Sequence, residues 1–158
     1  MIDVEALSRL QEASYRGADA ALRASWPADS AMDAAELAAF LAERHWCVLA
    51  TTSAQGHAQA RPVAFTALGA SFWFATVAGA RLRNLRRTPW ASLVVAAGEG
   101  DQHRAVAADG PTTIVARPPE ELLAAWQERH GSRADWAAAW FELQPARLFS
   151  YAAEGARR

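Results

Sequence analysis

From Trp46 to Thr76 three apolar segments follow one another with only tight turns between them: WCVLATTS (46–53), AQARPVAFTAL (58–68) and SFWFAT (71–76). Their connections, AQGH with Gly56 and LGA with Gly69, are turn sequences. Parallel neighbours would need a crossover of a dozen or more residues, which these connections cannot hold. Successive strands here must therefore run antiparallel, as a meander. This feature alone turns the reading away from a doubly wound parallel sheet.

The flanking segments extend the same pattern. ARLRNLRRTP (80–89) reads as a short helix ended by Pro89. WASLVVAAG (90–98) returns to strand, and HRAVAADGPTTIVAR (103–117) reads as two strands about Gly110 or one long bent strand. Pro118 and Pro119 open a helix, PEELLAAWQERH, because proline suits a first helical turn. Ser132 then caps a second helix, RADWAAAWFEL, on which Trp136 and Trp140 share a face, and ARLFSYAA (146–153) closes the chain as a strand.

Ahead of the meander, residues 3–24 carry Val4, Leu7, Leu10, Ala18, Ala21 and Leu22 at helical spacing, in one helix or two. SWPADSAM (25–32) is a linker. Asp33 and Glu36 form a capping-box pattern that opens AAELAAFLAERH, with Leu37, Phe40 and Leu41 as its buried stripe. The expected architecture is mainly β: a closed antiparallel barrel with peripheral helices. Residues 1–32 read as a helical extension and linker, and 33–158 as the barrel domain.

Composition removes several functions. The chain has 158 residues, 52% hydrophobic and 21% charged, enough for a substantial core in one domain. A formal net charge of −1 argues against a nucleic-acid binder. All 16 basic residues are arginine, so no lysine Schiff base can form, and any anion clamp must use arginine or backbone N–H groups. One cysteine, Cys47, fits a reducing compartment. MIDVEALSRL lacks the apolar core of a signal peptide, and no stretch is long and apolar enough for a membrane span. The reading is a soluble, cytoplasmic protein without nucleic-acid or membrane partners.

Catalytic motifs are sparse. His45, His57, His103 and His130 are scattered, with no metal-ligand spacing, so no metal site is expected. TTS (51–53) lacks the G-x-S-x-G elbow, Cys47 lies in an apolar strand, and GEGDQ (98–102) lacks the rest of a dinucleotide fingerprint.

The arginines are more informative. Four of them fall within residues 81–87. On a helix, Leu82 and Leu85 define the buried stripe, Arg83 and Arg87 face solvent, and Arg86 and Arg81 flank the stripe. Arg81 alone is also in the first turn, where the helix dipole and free N–H groups favour an anion. Thr76 ends the preceding strand with a hydroxyl. Arg61 interrupts an apolar strand and would be costly to bury alone. An anion between Arg61 and the 76–81 turn explains both features; a solvated helix and an edge-strand arginine also explain them.

In order along the chain, CVLATTSAQGHAQARPVAF, FWFAT, ARLRNLRRTPWASLVV, ADGPTTIV and LQPARLFSY resemble the FMN-binding split barrels related to pyridoxamine 5′-phosphate oxidase. The resemblance runs from about Asp33 to Tyr151. It implies a cofactor contact from Arg61, backbone contacts from Pro62, Val63 and Ala64 to the isoalloxazine ring, and phosphate contacts from Thr76 and Arg81. Arg81 stands where the family usually has lysine, Gly79 and Ala80 where it usually has serine, and Asn84 and Leu85 match its structural Asn-Leu pair.

The implied function is a flavin-type oxidoreductase that uses FMN on an unknown small molecule, as a homodimer with the cofactor at the subunit interface. Its catalytic residues are not identified by the sequence. Two alternatives remain: a deazaflavin (F420)-dependent reductase, whose acidic tail would suit Arg83, Arg86 and Arg87, and a non-catalytic carrier of haem, another tetrapyrrole or flavin.

Overall fold

The computed structural model describes residues 1–157. Eight strands form one antiparallel sheet: β1 (Trp46–Thr52), β2 (Ala58–Ala64), β3 (Thr66–Leu68), β4 (Ser71–Thr76), β5 (Trp90–Ala97), β6 (Arg104–Val115), β7 (Ala139–Leu143) and β8 (Arg147–Ala152). The order is β2-β1-β5-β6-β7-β4-β3, with β8 also paired to β6. The sheet curls into an antiparallel split barrel, the fold that the resemblance implies.

β6 joins the two halves. Its first part pairs with β5 and β8, and its second part, Thr112–Val115, pairs with β7. The change of partner falls at Gly110, where the β7–β8 connection crosses. A Cβ at Gly110 would lie 2.1 Å from the Gln144 carbonyl oxygen, so only glycine admits this approach. The 103–117 segment is thus one long strand.

The core is aromatic and aliphatic. Phe74 stacks on Phe141 at 4.7 Å between ring centroids, with Leu49, Phe65, Phe72 and Leu93 buried around them. Helix α3 (Ala34–Glu43) adds Leu37, Phe40 and Leu41, and its start carries the expected Asp33–Glu36 capping box. Helix α5 (Glu120–His130) buries Trp126 against Trp73 and Trp140.

At the N-terminus, residues 3–24 form two helices, α1 (Val4–Gly17) and α2 (Ala20–Ser25). α1 docks on β8 through a buried polar network. The Tyr15 hydroxyl donates to the Ser150 carbonyl at 2.7 Å, the Gln11 amide donates to the Met32 carbonyl at 2.8 Å, and Ser150 Oγ donates to Gln11 Oε1 at 2.5 Å.

Two sequence expectations need correction. The segment 132–143 is not a second helix but a turn followed by β7. Gly131 leaves α5 in the left-handed conformation, and Phe141 and Leu143 pair with both β4 and β6. Trp140 is consequently buried and Trp136 exposed, rather than sharing a helix face. Residues 58–68 are not one strand either. The ladder breaks at Phe65, whose N–H donates to His45 O, and the chain resumes as β3 beside β4.

Candidate functional site

Three residues separate the end of β4 from helix α4 (Ala80–Arg87). Leu82, Asn84 and Leu85 point inward, while Arg83, Arg86 and Arg87 are exposed and Arg81 is half-buried. The Leu82–Leu85 stripe is the one the helical period predicts. Gly79 occupies the N-cap and offers no side-chain acceptor, so no side chain satisfies the first-turn N–H groups.

A cavity of about 270 Å³ opens at this point, lined by Thr51, Gln59, Arg61, Thr76, Gly79, Ala80 and Arg81 with Leu49 and Val77. β2 positions Arg61 by register. Arg61 lies opposite Leu49, and Gln59 opposite Thr51, so all four occupy the same face of the β1–β2 ladder. β4 brings Thr76 in from the other side and α4 supplies Arg81. Three residues proposed from the sequence as phosphate or cofactor contacts, Arg61, Thr76 and Arg81, therefore converge on one cavity.

The electrostatics are one-sided. Among the described residues, no carboxylate lies within 4.0 Å of Arg61 or Arg81, whereas eight ion pairs form elsewhere. Arg61 donates only to the neighbouring Ala60 carbonyl, at 2.7 Å. Burial pulls the Arg81 guanidinium below its ordinary pKa, with a small opposing effect from Cys47. Burial also pushes the Cys47 thiol up to about 12, against a lowering influence of Arg81. Cys47 is thus a neutral core thiol rather than a nucleophile.

Under the cavity, buried Asn84 uses its side-chain amide twice. It donates to Gln59 Oε1 at 2.9 Å and to Thr51 Oγ1 at 3.1 Å. Sequence reasoning missed Gln59 and Thr51. The strand period could have found Gln59, which is two residues from Arg61 and on its face.

Pro62, Val63 and Ala64 continue β2 but do not line the cavity. Val63 enters the core opposite Cys47. Pro62 and Ala64 face outward, opposite Val48 and Trp46. That outer face is apolar and open: Trp46 is 64% exposed, Val48 47% and Val94 41%, and Val94 pairs with Val48. β2 is an edge strand, so one side of its backbone beside Arg61 is unpaired.

Among the described residues, no histidine lines the cavity and no group of three potential ligands could hold a metal. No helix among them is long and apolar enough to cross a membrane. The arrangement can bind a phosphate-sized anion next to an open apolar surface. It presents no side-chain acid or base for proton transfer.

An antiparallel split barrel with an arginine-lined cavity at the β4–α4 junction defines the class. The sequence profile of the pyridoxamine 5′-phosphate oxidase family matches residues 34–157, and the chain belongs to that family. No protein of curated function matches it in sequence.

Among solved structures, it is similar to the conserved hypothetical protein Rv2991 from Mycobacterium tuberculosis, with a TM-score of 0.70 and 23% identity over 84% of this chain and 92% of the other. It is also similar to the haem storage protein HutZ from Vibrio cholerae, with a TM-score of 0.64 and 24% identity over 74% and 93% of the two chains. An FAD-binding protein from Mesorhizobium loti aligns with a TM-score of 0.63 and 18% identity over 75% and 92%. At these identities the likenesses speak for the fold. Of the three, HutZ is described as a haem storage protein and the Mesorhizobium loti protein as FAD-binding.

Proposed function

We propose that the protein binds FMN with its phosphate in the cavity between Arg61 and Arg81 and serves as a flavin-type oxidoreductase for a small molecule. The observation that carries this reading is the convergence of two guanidinium groups without a carboxylate, beside uncapped helical N–H groups and the Thr76 hydroxyl. Arg61 is exposed, but Arg81 is half-buried with no carboxylate beside it, which is costly, and a phosphate satisfies it. Bound FMN would supply the transfer of hydride or electrons.

The chain's own part is to hold and orient. Arg61 and Arg81 clamp the phosphate with planar, multiply donating heads. The open edge of β2 at Pro62–Ala64 offers backbone groups and an apolar floor to the ring. The outer face of Trp46, Val48 and Val94 adjoins this edge and suits a second copy of the chain, which would cover the ring and exclude water. This supports a homodimer with the cofactor at the subunit interface.

A second reading takes F420 in place of FMN. It is favoured by Arg83, Arg86 and Arg87, which lie exposed without carboxylate partners among the described residues and could meet an acidic tail. Haem has less support from the site. His57 lies in the exposed β1–β2 turn, and His103 lies beside Tyr151.

Titration of the purified protein with FMN, F420 and haemin, followed by absorbance and flavin fluorescence, tests the proposal. One FMN per chain is expected. Haem binding alone, or no binding of any of the three, would overturn it.

A further inference from the structure

Asn84 lies beneath the cavity and does not line it, yet its two hydrogen bonds determine what the cavity wall presents. Its amide N–H groups are spent on Gln59 Oε1 and Thr51 Oγ1. The Gln59 carbonyl oxygen is thereby held toward Asn84, which leaves the Gln59 NH2 group for the cavity that Gln59 lines. The Thr51 oxygen has accepted a hydrogen bond, which leaves its hydroxyl proton to donate. Among the described residues, neither the Gln59 NH2 nor the Thr51 proton has a protein acceptor, although Thr51 is only 6% exposed and Asn84 5%.

We infer that Asn84 is a positioning residue that turns Thr51 and Gln59 into two further phosphate donors, so that the site selects a terminal, doubly ionised phosphomonoester. The inference rests on the flavin reading above and narrows it. Thr51 and Gln59 then add two donors to those of Arg61 and Arg81, while the Thr76 hydroxyl donates to the Val77 carbonyl at 3.3 Å. A phosphomonoester dianion offers three unsubstituted oxygens and two negative charges to that wall. A phosphodiester, as in F420, or either phosphate of a pyrophosphate, as in FAD, offers two such oxygens and one charge, and its chain must leave on both sides. A protonated monoester would bring an O–H donor against donors.

The charged side chains that line the cavity are Arg61 on β2 and Arg81 on α4, and the Cys47 thiol on β1, pushed up to about 12 by burial, stays neutral between pH 5 and 8. FMN affinity should therefore rise with pH as the phosphate loses its second proton, near pH about 6. Riboflavin affinity should stay level.

The test is a fluorescence titration of the full chain with FMN and with riboflavin. Thr51→Val and Gln59→Leu should each weaken FMN binding about tenfold or more, the effect of losing a hydrogen bond to a charged group, and leave riboflavin nearly unchanged. Thr51→Ser should restore FMN binding. Asn84→Leu should weaken FMN binding but add little in the Thr51→Val/Gln59→Leu background, because it acts through those two residues.

The inference is overturned if Thr51→Val and Gln59→Leu leave FMN affinity intact, or weaken FMN and riboflavin alike. Thr51→Val and Gln59→Leu carry the test even if Asn84→Leu fails to fold. Failure of the wild-type protein to bind FMN removes the flavin reading and this inference together; FMN binding that is insensitive to the variants removes only the inference.

Discussion

Gly110 is the position where a single methyl group should do the most damage to this fold. A Cβ there would sit 2.1 Å from Gln144 O and 2.7 Å from Ala146 N, and both are backbone atoms that no rotamer change can move. The same two residues hold the β7–β8 connection to β6 through Gln144 N–H to Pro111 O at 3.1 Å and Ala146 N–H to Asp109 O at 2.8 Å. Making room means lifting the connection and weakening both bonds. Overpacking costs about 1–3 kcal/mol and each lost hydrogen bond about 1 kcal/mol, so Gly110→Ala should destabilise by about 2–5 kcal/mol. For a chain of this size that lowers Tm by about 5–15 °C. Thermal unfolding by circular dichroism reads it, with Gly17→Ala as control, because a Cβ at Gly17 meets nothing within 4 Å. A Gly110→Ala protein that melts with wild type would refute the reasoning.

Three further outcomes follow from the structure. Arg81→Leu should raise the Tm of the cofactor-free protein by about 2–4 °C in phosphate-free buffer, because it removes a half-buried charge with no partner; an unchanged or lower Tm counts against that view of Arg81. His130 Nε2 lies 3.1 Å from Phe65 O, and burial first, then Arg129 and His45, hold its pKa below the ordinary value. The unfolded chain therefore takes up this proton first, so the contribution is complete above pH about 6.5 and is lost as pH falls below it. His130→Gln should flatten the Tm-against-pH curve between pH 7 and 5, and parallel curves for the two proteins would refute it. Val48→Asp places a carboxylate in the centre of the open apolar face and should convert a dimer to monomer by sedimentation velocity; a wild-type protein that is already monomeric contradicts the interface.

What could be read from the sequence was local. The arginine placement on α4 follows from the Leu82–Leu85 stripe, and the β1–β2 hairpin from its turn chemistry at Gly56, which has φ of +79°. The misread segment 132–143 shows where locality ends. Alanine and the four-residue spacing of Trp136 and Trp140 favour helix, but β7 fills the slot between β4 and β6, and pairing on both sides overrides propensity. The break at Phe65 depends on His45, 20 residues away, and had no local sign. The Asn84 network was equally hidden: its partners lie 33 and 25 residues away, and only the ladder register brings Thr51 and Gln59 side by side. Arg61 and Arg81 could be matched because each breaks a local pattern, one an apolar strand and the other the solvated side of a helix.

The central claim is that Arg81, and not the basic character of α4 as a whole, holds the cofactor phosphate. The direct measurement is the FMN dissociation constant of Arg81→Ala beside that of Arg87→Ala, taken at one ionic strength. Loss of charge-assisted hydrogen bonds of about 1.5–3 kcal/mol should weaken FMN binding by Arg81→Ala at least about tenfold. The exposed Arg87 should matter little, with Arg87→Ala close to wild type. Equal weakening by the two substitutions would contradict the account.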